Sequence, residues 1–201
     1  MWDRTTLLGG GGLRMTGAEI AIDGPNVRAR LRVDEIEGVE TLSPHGDSYI
    51  WTRKQGGVRV SGLIELDGGP IQFEARGIID ESAGYHARHT VWSWSAGVGT
   101  ATDGRAVAWN LVTGVHDAPE ASERTVWLDG EPSEVGPVEF AADLSRVGEL
   151  TFSEWSRRED NTNALLLRSR YSQPFGTFAG SVGGVELSEG YGVMESHDVW
   201  W

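Results

Sequence analysis

The chain contains no cysteine, which excludes disulfides, thiolate metal centres and a thiol nucleophile. It also lacks a Gly-x-Ser-x-Gly elbow, so covalent acyl transfer has no ready nucleophile. No apolar run approaches the roughly 18 residues that a membrane-spanning helix needs. Positive charge is scarce. Seventeen basic residues against 30 acidic ones leave a formal charge of -13, a field that repels phosphate backbones and anionic lipid surfaces. Neither a nucleic-acid partner nor a membrane span is expected. The opening residues carry charges at Asp3 and Arg4 and only a short Leu7-Leu8 pair, too little for a secretory signal. A soluble, cytoplasmic protein is the expectation.

Helical periodicity is nearly absent as well, with only residues 141–146 hinting at a turn or two. Glycine and tryptophan are abundant instead, at 28 and nine residues in a chain of 201. Glycine-punctuated, Trp-rich chains point to β-structure, with indoles placed where apolar and polar surroundings meet. Val27, Ala29, Leu31 and Val33 alternate with three arginines, the period of a half-buried strand whose arginines face water. Val58, Val60, Ile64 and Leu66 repeat the pattern, and Asp67-Gly68-Gly69-Pro70 reverses the chain into a hairpin. Further strands are expected over 85–94, 106–112, 125–128, 138–140, 150–155, 164–171, 176–182 and 190–200. Gly9-Gly10-Gly11-Gly12 lacks the following Lys and Ser/Thr of a phosphate loop, so 1–17 reads as a flexible, glycine-rich lead-in or hairpin loop. Residues 18–201 then form one all-β domain, an antiparallel sandwich or barrel.

Segment 84–94 carries the strongest chemical signal. As a strand it sends His86, Arg88, Thr90, Trp92 and Trp94 to one face, a row suited to a cavity wall rather than plain core. Arg88 could clamp a carboxylate there or stack on an indole. His86 and His89, three apart, fall on opposite strand faces and make no zinc site. Glu195 and His197, two apart, do share a face and read either as an acid and base pair, as metal ligands, or as a satisfied polar pair. Asn110, Glu123 and Arg124 could form a hydrogen-bonded polar spot in the cavity, although loop capping explains Glu123 and Asp117 equally well. Segment 171–178 combines aromatic bulk with glycine, as a strand does at a barrel corner, and Gln173 could orient a ligand if it points inward. No metal and no other cofactor is expected.

The motifs Ser82-Ala83-Gly84-Tyr85-His86-Ala87-Arg88-His89-Thr90-Val91-Trp92-Ser93-Trp94-Ser95-Ala96-Gly97, Trp109-Asn110-Leu111-Val112-Thr113-Gly114 and Ser122-Glu123-Arg124-Thr125-Val126-Trp127 resemble the bacterial domain of unknown function 2804 family. So do Gln173-Pro174-Phe175-Gly176-Thr177-Phe178 and Gly190-Tyr191-Gly192-Val193-Met194-Glu195-Ser196-His197-Asp198. The resemblance implies distant kinship with two-barrel, lipocalin-like proteins, among them carotenoid hydratases, AttH-like proteins and fungal pericyclase-type enzymes. It therefore implies a calycin-type barrel, within a two-barrel architecture, around an apolar pocket. Family members carry additional sequence before the region matching Trp2 to Thr6, which implies that part of a first barrel is absent here. No motif matches the catalytic residues of those distant relatives, so none is carried over.

Three functional readings follow. In the first, the protein binds an apolar small molecule, such as an isoprenoid or lipid, anchored by Trp92, Trp94 and Phe175 and oriented by Arg88, Asn110 and Gln173. In the second, the same pocket is a cofactor-free hydratase, isomerase or cyclase, with Glu195 or Glu123 donating a proton and His86 or His197 as partner base. In the third, the chain is a structural or partner-binding module, which requires solvent-inaccessible indoles at Trp92 and Trp94 and no cavity of a few hundred Å³.

Overall fold

Residues 6–8, 12–165 and 167–201 are described by a computed structural model, and every regular element among them is a β-strand. The chain falls into two compact units, one formed by Met1–Glu37 and Val58–Gly77, the other by Gly38–Gly57 and Ile78–Trp201.

The first unit is an antiparallel meander of β1 (Thr6–Leu8), β2 (Gly12–Thr16), β3 (Glu19–Asp23) and β4 (Arg28–Asp34), continued by the later part of β6 (Ser48–Leu66) and the earlier part of β7 (Gly69–Gly84). The alternation read from the sequence appears directly in β4, where Ala29 and Val33 are buried and Arg28, Arg30 and Arg32 are exposed. Arg30 pairs with Asp23 at 2.7 Å and Arg32 with Asp34 at 2.9 Å, so the outward row is largely self-neutralised. β1 and β2 lie within the span expected as a lead-in, while residues 1–5 and 9–11, which hold most of the glycine run, lie outside the described residues.

The second unit pairs β5 (Val39–His45) with the start of β6 and contains an eight-stranded antiparallel sheet. Its strands are β8 (His89–Ala101), β9 (Ala106–Thr113), β10 (Thr125–Leu128), β11 (Glu131–Glu134), β12 (Arg146–Val147), β13 (Leu150–Asn163), β14 (Arg168–Val182) and β15 (Val185–Trp200), in the order β11-β10-β9-β8-β15-β14-β13-β12. Side-chain alternation gives this sheet two faces of different character. One packs the hydrophobic core, with Trp109, Leu111, Val126, Leu150, Phe178 and Met194 buried together. Close packing of Trp109 requires glycine opposite it, since a Cβ at Gly97 would lie 2.2 Å from the indole. The other face carries Trp92, Trp94, Asn110, Gln173 and Glu195, which the register places side by side. β12 covers only the first two residues of β13, so residues 153–163 form an exposed edge with no outer strand neighbour among the described residues.

The strand expected through 84–94 is interrupted. β7 ends at Gly84 and β8 begins at His89, with a loop over 85–88. Gly84 holds a φ of 154° and passes so close to β6 that a Cβ would stand 2.5 Å from the Tyr49 carbonyl, and the chain leaves the sheet there. Residues 141–146 form a turn rather than helix, with Leu144 at a φ of 61° that no right-handed helix accommodates. The strand expected over 138–140 reduces to a single bridge between Phe140 and Val147.

Candidate functional site

Within the second unit, strands β6, β7, β8, β9, β14 and β15 and the loops over 85–88 and 114–124 enclose a cleft of about 330 Å³. Trp92 and Trp94 form one wall, both half-buried. Charged groups gather at two places around them.

The first is Glu195 on β15, 8% exposed. Its carboxylate accepts three hydrogen bonds, from Trp92 Nε1 to Oε1 at 2.8 Å and from Tyr171 Oη and Gln173 Nε2 to Oε2, both at 2.9 Å. The register explains the convergence. Glu195 opposes Trp94 on β8, His197 opposes Trp92, and on the other side Tyr171 opposes His197, so residues two apart on three adjacent strands meet on one face. Burial pushes the Glu195 carboxyl above its ordinary 4.5, opposed by the three donors and reinforced by the like charge of Asp80. Burial, then the Glu195 charge, likewise drives the Tyr171 hydroxyl upward. A hydroxyl can rotate and an amide can present either end, so Tyr171 and Gln173 can serve Glu195 whether it is ionised or protonated.

The second group centres on Lys54, 5% exposed on β6. Its Nζ lies 2.5 Å from Asp80 Oδ1 on β7 and 3.2 Å from Glu123 Oε2. Glu123, 3% exposed, comes from the loop that also carries His116. That loop folds back through left-handed residues at His116 and Ala121, and the Glu123 amide donates to the His116 carbonyl at 3.0 Å. His116 Nε2 stands 3.5 Å from Glu123 Oε1, within ion-pair range when protonated but without hydrogen-bond geometry. Burial holds the His116 imidazole below its ordinary 6.5, with Glu123 and Asp80 opposing and Lys54 and His45 adding to the shift. Three buried atoms in this group lack a hydrogen-bond partner: Thr52 Oγ1, His116 Nδ1 and Glu123 Oε1.

Asn110 links the two groups. Trp94 Nε1 donates to its Oδ1 at 2.8 Å, and its Nδ2 donates to the Glu123 carbonyl at 2.9 Å. The indole wall and the Glu123 loop are thereby fixed to one fully buried amide.

Of the residues expected from the sequence, Trp92, Trp94, Gln173, Glu195, Glu123 and His86 line the cleft together. His86 does so from the 85–88 loop rather than a strand, stacked edge-on to His45 at 5.5 Å and against Trp201 at 5.2 Å; burial, then His45 and His116, lowers its pKa. Asn110 stands behind the wall. His197 is on the correct face but does not line the cleft; it packs on Trp92 and Tyr171 and hydrogen-bonds Ser169 at 2.8 Å. Arg88, expected beside the indoles, sits in the loop outside the lining, its carbonyl accepting the Trp201 amide. Phe175 shares the face of Gln173 but lies beyond the cleft, 40% exposed. Lys54, Asp80, Thr52, His116 and Tyr171 were not expected; Thr52 and Lys54 stand two apart on β6 and so share a face, and that spacing was the one available signal. The described residues contain no cluster of three or more His, Asp or Glu arranged to hold a metal ion.

A family model described as Domain of unknown function (DUF2804) matches residues 13–201. No curated protein matches the sequence. Among solved structures, kievitone hydratase from Nectria haematococca is 13% identical, with a TM-score of 0.52 over 94% of this chain and 68% of that one. An AttH-like protein from Nitrosomonas europaea is 13% identical, with a TM-score of 0.46 over 96% of this chain and 69% of its own. CghA, solved with Sch210972, is 10% identical, with a TM-score of 0.38 over 98% of this chain and 68% of that one. At such identities the likeness concerns the fold alone, which is all-β, antiparallel and lipocalin-like.

Proposed function

The chain belongs to the DUF2804 family, and from that premise we propose that it binds a small molecule with an apolar body in the cleft of its second unit and transfers a proton to it without a bound cofactor. The observation that carries this reading is Glu195: a carboxyl held by three donors on the indole wall, with burial raising its pKa above the ordinary 4.5. A protein that merely stored a hydrocarbon would gain nothing from burying Lys54, Glu123 and Glu195 around it, since each charge costs desolvation. In the proposed cycle Glu195 gives its proton to an alkene or carbonyl lying along Trp92 and Trp94, His86 or His116 takes a proton either from the water that adds to the resulting cation or from its neighbouring carbon, and proton exchange with solvent resets both groups. Burial lowers the pKa of both imidazoles, which leaves each ring unprotonated at neutral pH with a nitrogen lone pair open to a proton. The name kievitone hydratase is compatible with this chemistry but supplies no residue assignment. A cytoplasmic setting belongs to the same proposal.

Binding without turnover is the second reading, favoured by the fact that all three donors already engage Glu195. One experiment separates them. The protein is purified from its own host, bound compounds are identified by native mass spectrometry and extraction, and wild type and Glu195→Gln are assayed on the compound found. Loss of conversion with binding retained supports proton transfer; equal conversion by both proteins removes Glu195 from the chemistry, and binding with no conversion by either leaves a carrier. Half-buried indoles and a cleft of this size disfavour a purely structural module.

A further inference from the structure

The Lys54 group has features that Glu195 does not share. Thr52 Oγ1, His116 Nδ1 and Glu123 Oε1 all belong to residues lining the same cleft, all are buried, and none has a hydrogen-bond partner. Buried polar atoms are mostly satisfied in folded proteins, and these three exceptions belong to one cleft. A carboxylate oxygen can only accept, a threonine hydroxyl can donate or accept, and a neutral imidazole offers one donor and one acceptor. The unmet requirement is therefore for a partner that brings at least one O–H or N–H. A hydrocarbon seated in the cleft would leave all three atoms desolvated with nothing in return.

Charge narrows the class further. One ammonium at Lys54 faces two carboxylates, at Asp80 and Glu123, and Glu195 adds a third carboxyl to the same cleft. The two carboxylates already outweigh the charge of the ammonium, which leaves no surplus positive charge to draw an anion. A ligand carboxylate or phosphate would meet the open oxygen of Glu123, an arrangement of two acceptors. The indoles of Trp92 and Trp94 supply flat apolar surface suited to a ring or a conjugated chain.

From these observations we infer that the cleft recognises an uncharged hydroxyl, of a phenol or alcohol, at Thr52, His116 and Glu123, so that the ligand is a hydroxyl-bearing hydrophobe and neither a pure hydrocarbon nor a carboxylate. The inference rests on the proposal that this cleft is the ligand site and adds which end of the ligand is read. The ligand hydroxyl donates to Glu123 Oε1 and accepts from the Thr52 hydroxyl or the His116 imidazole, and the apolar body runs along the indoles. Discrimination follows from leaving groups unpaired when the hydroxyl is missing.

The test uses three probes of one size: para-propylphenol, its methyl ether para-propylanisole, and para-propylbenzoate, titrated calorimetrically into the whole chain. The phenol is expected to bind about tenfold more tightly than the ether, and the benzoate most weakly. Thr52→Val keeps the shape and removes the hydroxyl. In Glu123→Gln the amide oxygen is drawn to Lys54 Nζ, which leaves NH₂ where the open acceptor stood. Each substitution should bring the phenol-to-ether ratio close to one, while Phe175→Ala, outside the cleft, should leave that ratio unchanged. Equal affinity of phenol and ether for wild type, or tightest binding of the benzoate, overturns the inference while sparing the cleft as a ligand site. Binding of none of the three up to the solubility limit overturns both. If Glu123→Gln fails to fold, Thr52→Val alone decides.

Discussion

Two buried carboxyls share one cleft and are served in opposite ways. Glu195 accepts hydrogen bonds from an indole, a phenol and an amide, all on the same sheet face. Glu123 has an ammonium on one oxygen and nothing within hydrogen-bond geometry on the other. The saturated group is poised by its surroundings to hold or release a proton, because two of its partners, Tyr171 and Gln173, can exchange donor and acceptor roles. The unsaturated one is poised to receive something from outside. Burial alone therefore does not assign a role to a carboxyl; the count of partners, and whether they can reverse, does.

The contrast can be broken most severely at Lys54. Lys54→Met leaves Glu123 and Asp80 without their cation and should cost about 3–5 kcal/mol in urea unfolding, the usual penalty for breaking a buried ion pair from one side. Glu195→Gln, in contrast, keeps volume and hydrogen-bonding capacity, so its unfolding free energy should change by less than about 1 kcal/mol, while conversion of the bound compound should fall by about a hundredfold or more. Trp94→Phe strips the donor from the fully buried Asn110 and should cost about 1–3 kcal/mol, loosening the Glu123 loop and weakening ligand binding without altering the protonation of Glu195.

Acid titration of stability sharpens the comparison at smaller amplitude. The raised pKa of Glu195 gives stability that is fully present below its ordinary 4.5 and is lost as pH rises through the folded value. The lowered pKa of His116 has the opposite sign: its stability is present above 6.5 and is lost as pH falls towards the folded value. Unfolding midpoints followed downward from neutrality should therefore fall less in His116→Gln than in wild type. In Glu195→Gln the decline on going upward from 4.5 should be shallower. The least effect is expected from Phe175→Ala. That ring lies outside the cleft and is 40% exposed, so calorimetric affinity for the phenol probe should move by less than about twofold.

The indole wall was legible because Trp92 and Trp94 are two apart on a strand, and Glu195 with His197 for the same reason. Period-2 spacing survives folding wherever the strand is regular. It failed at His86 and Arg88 because Gly84 takes the chain out of the sheet, and one glycine among 28 does not announce which of them will do so. Lys54 and Asp80, and their grouping with Glu123, were invisible for a different cause. Their partnership joins positions 26 and 69 residues apart, and an isolated charge in a strand sequence reads as a solvent-facing residue until the opposing strand is placed. Loop capping, one of two readings offered for Asp117 and Glu123, describes Asp117, whose Oδ2 accepts from the Gly114 amide at 2.7 Å, whereas the Glu123 carboxylate faces Lys54; the folding of His116 onto Glu123 depends on left-handed backbone at His116 and Ala121 that the residue types do not demand.

The uncovered flank of β13 has a consequence for handling the protein in solution. Its backbone groups over 153–163 offer an unfilled hydrogen-bonding ladder, the template on which a second polypeptide could add. The side chains that decorate it, Arg157, Arg158, Glu159 and Asp160, carry both signs of charge and stand exposed. Electrostatic repulsion between copies, set by a net charge of -13, keeps these flanks apart at low ionic strength. Concentrated salt shortens the reach of that repulsion to a few ångströms, so colloidal behaviour of this chain should depend on ionic strength far more than its compact sheets would suggest, with self-association appearing first in high-salt buffers.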